Sequence, residues 1–347
     1  MSKQTHVYLI PPCASQLNNN LFNKKADGSQ IIWSFVKDYC RQSGIVLNTI
    51  DYWKPDNRNN DIVVVIDHPN QDSAHRIIYF IRMILFGKSF FRIKYYRLNQ
   101  LLNKFSKKIL FHFEPAVVTP SVYKDLPKLK QLYDQIYLTS QINGFNYFHM
   151  PQTFDAPIEP FFSNHDRKFL VMMNSNKKPL RRKNELYSER LRAIKYFSEH
   201  DNIDLYGNLW NHQIFFPYTF YKKYVKKVYR GFVDNKLATM SRYNFAICFE
   251  NEISPGWITE KIFDCFLAGT IPVYLGAPNI TDYVPPDCFI DFRRFKNYDA
   301  LKEHLESLTS KDLQRYRENI VAYYKSGRFN VFTKNYLAKT IVAAINK

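Results

Sequence analysis

The sequence has few cysteines, and their spacing argues against the usual cysteine-based frameworks. The five are Cys13, Cys40, Cys248, Cys265 and Cys288, and no two of them form a C-x-x-C pair. An odd number without paired spacing argues against a disulfide scaffold and against a structural zinc site. The cysteine content therefore favours a reducing compartment.

Long apolar runs are absent as well. No window holds the ~20 uninterrupted apolar residues that a transmembrane helix needs. The first residues, MSKQTHVYLIPPCASQ, lack the charged head and apolar run of a secretory signal. These absences predict a cytoplasmic protein, or a protein whose membrane anchor has been removed.

The segment 76–98 comes nearest to a long apolar run. It is interrupted by Arg82, Lys88, Arg92 and Lys94, and it is rich in aromatic residues. A basic, aromatic segment of this kind can lie on an anionic membrane surface as a peripheral contact. An amphipathic helix that packs against the core is the alternative, and the sequence leaves both open.

Acidic residues are scarce relative to basic ones. The chain has 31 Asp and Glu residues against 49 Lys and Arg residues, so its formal charge is 49 − 31 = +18. This excess favours anionic partners such as nucleotide phosphates, an acidic membrane face or nucleic acid. A basic surface that merely keeps the protein soluble is the alternative. The 347 residues suffice for two domains, each with its own core.

Short apolar runs alternate with helical patterns along most of the chain. Nearly continuous apolar runs are typical of parallel strands that are covered on both faces. The predicted strands are 61–67, 108–113, 134–138, 168–173, 202–206, 244–250, 270–275 and 287–292, and the predicted helices include 184–200, 234–240 and 336–347. The alternation predicts an α/β fold with parallel sheets.

A proline-rich stretch without periodicity, residues 149–168, separates two such regions. We therefore predict an N-terminal domain over 1–155, a C-terminal domain over 156–335 and a terminal helix over 336–347.

Polar residues crowd into FENEISPGWITEK, where a predicted strand meets a predicted helix. In open α/β sheets, ligands bind at this carboxyl end of the strands. Thr259 is placed to cap the helix, and Ile262, Phe263 and Phe266 supply its apolar side.

Lys261 is the informative residue of this cluster. A helix N-terminus carries roughly half a positive charge, so a lysine in the first turn is unfavourable by ~0.3–1 kcal/mol unless an anion offsets it. A phosphate bound by the backbone N–H groups and the ammonium is one solution. Glu260 could then accept hydrogen bonds from ribose hydroxyls. A solvated Lys/Glu pair at the helix start is the alternative.

Two further features carry chemistry. The loop KKPLRRKNELY (177–187) is basic, and the planar fork of Arg181 or Arg182 suits a phosphate, although such loops commonly just face solvent.

In KILFHFEP (108–115), Glu114 follows a strand of apolar residues. Apolar surroundings can move the pKa of Glu114 towards neutrality and make it a general base. An ordinary loop carboxylate is the alternative for Glu114.

With these residues in place, the region 243–292 resembles the signature of the α1,3/α1,4-fucosyltransferases, glycosyltransferase family 10. An aromatic-rich strand that ends in F-E-N is followed by T-E-K-I, A-G-T-I-P-V and G-A-P, in the order and spacing of that family. Weaker similarity extends over roughly 105–295. The resemblance implies a GT-B fold, in which two Rossmann-like α/β domains face each other across a cleft and the C-terminal domain holds GDP-fucose.

The resemblance also implies residue roles. Glu114 matches the catalytic base, and Arg181 matches the phosphate-binding arginine, with Arg182 as a competitor. Lys261 matches the pyrophosphate lysine, Glu260 the glutamate that contacts ribose or fucose, and Asn251 the asparagine after F-E.

Trp257 departs from the family pattern, because it stands where many members have tyrosine. The ring is kept but a hydroxyl is lost, which puts a phenolic contact to the donor in doubt.

The implied reaction is an inverting transfer of L-fucose from GDP-β-L-fucose to a hydroxyl of an oligosaccharide or glycoconjugate, typically O3 of N-acetylglucosamine. No D-x-D motif occurs in the sequence, so the usual metal–diphosphate clamp is absent. We expect no structural metal in the donor site, while stimulation by Mn²⁺ or Mg²⁺ is compatible with this expectation. We also expect no nucleic-acid partner. Another GT-B glycosyltransferase with a different sugar nucleotide is the alternative.

Overall fold

The computed structural model of the chain describes residues 4–23, 29–55, 61–69, 98–154, 166–177, 183–211 and 219–347. The chain divides into two compact units. Unit 1 comprises Met1–Asp155 and Asn330–Lys347, and unit 2 comprises Ala156–Phe329. Residues 330–335, which the sequence analysis assigned to the second domain, thus lie in unit 1 together with the terminal helix.

Unit 1 contains a six-stranded sheet in which neighbouring strands are parallel, in the order β2-β1-β3-β4-β5-β6. Its strands are β1 (Thr5–Ile10), β2 (Ile45–Thr49), β3 (Ile62–Ile66), β4 (Lys107–His112), β5 (Gln135–Leu138) and β6 (Asn146–Tyr147). The central strand β3 is buried along its whole length. Such burial explains why its sequence, IVVVI, does not alternate with polar residues.

Helices cover both faces of this sheet. The described helices of unit 1 are α1 (Ser29–Gln42), α2 (Leu98–Leu102), α3 (Pro120–Lys124), α4 (Leu126–Leu129) and the terminal helix α11 (Lys334–Asn346). Alternation along β3 sends Val64 towards α1 and α11, and Val63 and Val65 towards α2 and α4. The terminal helix therefore completes the core of the N-terminal unit.

Unit 2 contains a five-stranded parallel sheet in the order β11-β10-β9-β7-β8. Its strands are β7 (Lys168–Met173), β8 (Ile203–Tyr206), β9 (Tyr243–Phe249), β10 (Ile271–Leu275) and β11 (Ile290–Asp291). Its described helices are α5 (Tyr187–Glu199), α6 (Lys222–Val228), α7 (Lys236–Met240), α8 (Glu260–Leu267), α9 (Tyr298–Ser307) and α10 (Ser310–Lys325). Because the strands are parallel, the ends of β7, β8, β9 and β10 meet at one edge of the sheet.

Short 3-10 helices complete the described elements. They occupy Ala14–Gln16, Asn20–Phe22, Ile50–Tyr52, Thr219–Tyr221, Ile280–Asp282, Phe292–Arg294 and Arg328–Phe332.

The predicted strands are confirmed to within about two residues, except that 287–292 contains just the two-residue strand β11. Strands β1, β2 and β6 were not predicted. The predicted parallel α/β organisation is confirmed in both units. The segment 76–98, predicted to contact a membrane or the core, lies almost wholly outside the described residues. Among the residues that are described, no helix is long and apolar enough to cross a membrane.

Candidate donor site at the β9–α8 turn

The site is built on the turn that joins β9 to α8. Glu250, the first residue after the strand, donates its backbone N–H to the carbonyl of Leu275 at 2.8 Å, which ties the turn to the end of β10. Gly256 has φ = +76°, a conformation that side-chain-bearing residues rarely adopt, and its N–H donates to Oδ1 of Asn279 at 2.9 Å. A turn at residues 254–256 is therefore present and anchored to Asn279.

A buried carboxylate lies at the centre of the turn. Glu250 is 0% exposed, and its Oε1 accepts hydrogen bonds from the backbone N–H of Thr259 at 2.9 Å and from the Thr259 hydroxyl at 3.0 Å. Thr259 occupies the predicted N-cap position of α8, but its hydroxyl makes no capping bond. The predicted N-cap position is therefore correct, but the Thr259 hydroxyl bonds Glu250 and Lys261 instead of a backbone N–H of the helix.

Lys261 completes this arrangement. Its Nζ lies 3.0 Å from Oε2 of Glu250 and donates to the Thr259 hydroxyl at 2.8 Å. The lysine side chain is 13% exposed, so the alternative of a solvated Lys/Glu pair does not describe the structure. Loss of hydration disfavours the ammonium, but the Glu250 and Glu260 carboxylates outweigh it and raise the pKa of Lys261 above its usual value.

Glu260 differs from Glu250 because its side chain is 53% exposed. Loss of hydration opposes its ionisation, yet the charges of Lys261 and Lys236 outweigh that effect and hold the pKa of Glu260 well below its usual value. Glu260 is therefore an anion at neutral pH. An exposed carboxylate at a helix start can accept hydrogen bonds from the hydroxyls of a ligand.

The charges near the turn balance one another. The Lys261 ammonium interacts electrostatically with the carboxylates of Glu250 and Glu260 and with the guanidinium of Arg190. Lys236 forms an ion pair with Asp264 at 2.5 Å. The three cations and three carboxylates of this group sum to 3 − 3 = 0. The described part of the turn is thus a polar, charge-neutral cluster rather than a cationic pocket.

Arg190 on α5 was missed by the sequence analysis. It is 3% exposed, its Nη2 donates to the carbonyl of Phe249 at 2.6 Å, and the same atom donates to Oδ1 of Asn251 at 3.1 Å. Arg190 thereby fixes the side chain of Asn251, which the sequence had singled out. The sequence does indicate that Arg190 is buried, because it lies four residues before Ile194 and seven before Phe197. This spacing places Arg190 on the same buried side of the helix as these two apolar residues.

Gly276, at the end of β10, was not singled out either. A Cβ atom there would lie 2.5 Å from Cγ of Glu250 and 2.6 Å from the hydroxyl of Tyr274. The Tyr274 hydroxyl is itself occupied, since it accepts the N–H of Ala277 at 3.1 Å. Glycine is therefore required here for the close approach of the Glu250 side chain, not for an unusual backbone conformation.

Trp257 lies in the turn with its side chain almost completely buried, at 3% exposure. Its Nε1 has no hydrogen-bond partner among the described residues. The tryptophan thus brings a buried donor to the position where the family pattern has a phenol. Burial of the ring argues against open stacking of a sugar on it.

Glu114 belongs to unit 1. It follows β4 by two residues and is half-buried, and its carbonyl accepts the hydroxyl of Tyr123 at 3.0 Å. Along β4, Leu110 and Phe111 lie on opposite faces of the sheet. The carboxylate therefore emerges at the carboxyl end of a strand, as expected from the sequence.

Arg181 and Arg182 lie within residues 178–182, outside the described part of the chain. Across the ranges that are described, no group of three or more His, Cys, Asp or Glu side chains could hold a metal ion. Independence from metals stays a prediction.

Comparison with known proteins gives consistent results. A model of glycosyltransferase family 10 (fucosyltransferase), C-terminal part, matches residues 165–331. The α-(1,3)-fucosyltransferase FucT of Helicobacter pylori is 38% identical over 76 residues, which is 22% of this chain and 16% of that protein. The α-(1,4)-fucosyltransferase of Arabidopsis thaliana is 35% identical over 75 residues, 22% of this chain and 19% of that protein. The chain thus spans less than a fifth of the length of these two relatives.

Among solved structures, an α-glucosyltransferase in complex with UDP superimposes with a TM-score of 0.56. The alignment covers 99% of this chain and 100% of that chain at 11% identity. At this identity the likeness shows the fold alone, and it confirms the predicted α/β fold of the GT-B type.

Proposed function

The chain belongs to glycosyltransferase family 10 through residues 165–331, and on this premise we propose that it transfers L-fucose from GDP-β-L-fucose to a glycan hydroxyl. The acceptor atom that we propose is O3 of N-acetylglucosamine in an oligosaccharide or glycoconjugate. One observation carries the proposal: Lys261, held by Glu250 at 3.0 Å, stands in the first turn of α8 at the carboxyl edge of a parallel sheet. Ligands bind at this edge in open α/β sheets.

In this proposal the donor diphosphate lies at the N-terminus of α8. The helix terminus contributes roughly half a positive charge, and the Lys261 ammonium adds hydrogen-bond donors. Because Glu250 and Glu260 already offset the local cations, the diphosphate needs further positive charge. We assign this further charge to Arg181, with Arg182 as its competitor. Arg190, which is already counted among the offset cations, would hold the side chain of Asn251 in place.

The remaining residues of the turn would hold the sugar and the ribose. Glu260 is exposed and anionic, so we assign it hydrogen bonds from ribose or fucose hydroxyls. Asn251, fixed by Arg190, would present the NH₂ group of its amide, because its oxygen already accepts from the guanidinium. Trp257 would contribute its Nε1–H.

We further propose an inverting single displacement with Glu114 as the general base. The carboxylate would take the proton of the acceptor hydroxyl as the oxygen attacks the anomeric carbon. Inverting hydrolases need a second carboxyl group to protonate the leaving group. Here the departing GDP is stable as an anion, so it needs electrostatic stabilisation rather than a proton.

The donor site in this proposal needs no structural metal. Fucose transfer should therefore persist in EDTA, even if Mn²⁺ or Mg²⁺ stimulates it. We also propose that residues 76–98 contact an anionic membrane, because a glycoconjugate acceptor in that membrane would then be close to the enzyme. Co-sedimentation with anionic vesicles at low salt tests it.

Three measurements test the main proposal. In a thermal-shift assay, GDP should raise the melting temperature while UDP and CMP should not; stabilisation by UDP alone would favour a GT-B enzyme with another sugar nucleotide. With GDP-fucose and N-acetyllactosamine, mass spectrometry should detect the fucosylated product. Glu114→Gln should retain GDP-fucose binding and lose ~10²–10⁴-fold in turnover, and near-normal turnover would remove Glu114 as the base.

A further inference from the structure

The turn that carries Glu114 is held by side chains from three other parts of unit 1. The first is Asp67, directly after β3, whose Oδ1 accepts the backbone N–H of Phe113 at 2.6 Å. Asp67 also donates its own N–H to the carbonyl of Phe111 at 2.9 Å. It thus continues the pairing of β3 with β4 up to the residue before Glu114.

Asp67 has φ = +57°, in the left-handed region that non-glycine residues seldom occupy. Asp and Asn tolerate this conformation better than other side chains do. Strained residues of this kind persist where the surrounding contacts determine them, and they cluster at functional sites. Here the strained residue turns its carboxylate onto the Glu114 segment.

The His112 ring lies beside the Asp67 carboxylate. It is completely buried, and its Nδ1 lies 3.2 Å from Oδ1 of Asp67, without the alignment of a hydrogen bond. Its Nε2 lies 2.8 Å from the hydroxyl of Thr119, which contacts the carbonyl of Pro115 at 3.3 Å. The His112 ring thus lies between Asp67, which binds the N–H of Phe113, and Thr119, which contacts the carbonyl of Pro115.

Two hydroxyls fix the peptide groups on either side of the Glu114 Cα. Thr139, which follows β5, donates to the carbonyl of Phe113 at 3.0 Å. Tyr123, on α3, donates to the carbonyl of Glu114 at 3.0 Å. With Asp67 on the N–H of Phe113, the backbone that carries the Glu114 carboxylate has little freedom to move.

We propose that Asp67 and Tyr123 are positioning residues that aim the Glu114 carboxylate at the acceptor hydroxyl. This inference rests on the proposed role of Glu114 as general base. A general base must lie within hydrogen-bond reach of its proton, and a displacement of about 1 Å can cost about 100-fold in rate. A well-fixed turn gives Glu114 that accuracy.

The test compares three variants with GDP-fucose and N-acetyllactosamine as substrates. Tyr123→Phe should lower kcat about tenfold, and Asp67→Ala about 100-fold, with the GDP dissociation constant within twofold of wild type. Asp67→Asn keeps an oxygen for the Phe113 N–H and tolerates the left-handed backbone, so it should restore kcat to within about fivefold of wild type. If Asp67→Asn were as impaired as Asp67→Ala, the carboxylate charge would matter rather than its position, and the inference would be wrong.

Combination with Glu114→Gln separates positioning from general damage. Tyr123→Phe should lower the residual turnover of Glu114→Gln by less than twofold, because there is no base left to aim. A tenfold loss in that background as well would overturn the inference. Tyr137→Phe is the matched control: it removes a tyrosine hydroxyl of the same sheet that donates to Gln135, and it should leave kcat unchanged.

Hydrogen exchange provides a readout that needs no acceptor. Asp67→Ala and Tyr123→Phe should speed exchange in the peptide spanning residues 113–119, while Tyr137→Phe should not. Unchanged exchange in both variants would contradict the positioning role. Full turnover of Glu114→Gln would instead contradict the proposed base. An inactive Glu114→Gln together with wild-type kcat in Tyr123→Phe and Asp67→Ala would contradict the positioning inference alone.

Discussion

Nζ of Lys261 lies 3.0 Å from Oε2 of Glu250, and Glu250 is completely buried. The lysine proposed to bind the donor therefore also neutralises a carboxylate of the protein interior. Removing one partner of a buried ion pair leaves the other uncompensated, whereas removing both can be nearly neutral. A binding defect in a Lys261 variant must accordingly be separated from loss of stability.

Lys261→Met should destabilise the protein by about 3 kcal/mol, because it leaves the Glu250 carboxylate buried without a cation. Lys261→Met combined with Glu250→Gln should recover most of that loss, since the Gln oxygen can still accept from Thr259. Urea denaturation measures the stabilities, and calorimetric titration measures GDP binding. Both variants should bind GDP at least tenfold more weakly than wild type, and wild-type affinity in the stable double variant would exclude Lys261 as a donor ligand.

Arg190 should be intolerant of lysine. Its guanidinium donates to the carbonyl of Phe249 and to Asn251 at once, and an ammonium cannot reproduce that planar geometry. We expect Arg190→Lys to cost about 2 kcal/mol in unfolding free energy and to weaken GDP binding severalfold. Arg192→Lys is the control on the same helix, because Arg192 is 61% exposed and pairs with Glu189 at the surface. Equal effects of the two substitutions would argue against a special role for Arg190.

Gly276→Ala should be destabilising because the new methyl group would meet Cγ of Glu250 at 2.5 Å and the Tyr274 hydroxyl at 2.6 Å. Overpacking of this kind costs about 1–3 kcal/mol, and displacement of Glu250 should also weaken GDP binding. Gly44→Ala provides the contrast, since a Cβ there meets no atom within 4 Å and the backbone strain at φ = +77° acts alone. Thermal denaturation with and without GDP distinguishes them: we expect Gly276→Ala, but not Gly44→Ala, to reduce the stabilisation by GDP.

The sequence predicted those parts of the fold that produce a local pattern. Strand β3 is a continuous apolar run and β9 is nearly one, and such runs identify buried parallel strands. Strands β1 and β2 escaped prediction although they lie in the same sheet. Their burial alternates between buried and half-buried positions, so their sequences, THVYLI and IVLNT, include polar residues.

The sequence predicted where the site lies, but not the contacts among its residues. The cluster around Lys261 was found because polar residues at a strand–helix junction are visible in the sequence. The spacing of Arg190 indicates that it is buried but not what it contacts, because Arg190 lies about 60 residues before Asn251 in the chain. The close approach of Gly276 to Glu250 likewise depends on the packing of the next strand. Asp67 is likewise separated from Phe113 by 46 positions. Such contacts depend on tertiary packing rather than on local periodicity.

Asp204 on β8 provides a test of pH dependence. Its carboxylate is 8% exposed and accepts hydrogen bonds from Tyr243 at 2.7 Å, Lys168 at 3.0 Å and Arg230 at 2.6 Å. Burial raises the pKa of Asp204, but these three donors outweigh it and leave that pKa below its usual value. The folded state therefore holds the proton less tightly than the unfolded state does.

It follows that the ionised carboxylate stabilises the fold above the unfolded pKa of about 3.9, and that this stabilisation is lost as the pH falls below it towards the folded pKa. Asp204→Asn should cost about 2 kcal/mol at pH 7, because three donors lose a charged acceptor. In urea denaturation, the difference from wild type should stay constant from pH 7 to pH 5 and shrink below about pH 4. Asp201→Asn, which removes a 76% exposed carboxylate paired with Lys227, should change stability by less than about 0.5 kcal/mol at every pH. A gap between Asp204→Asn and wild type that widened on acidification would mean that the Asp204 carboxyl is held neutral in the folded protein.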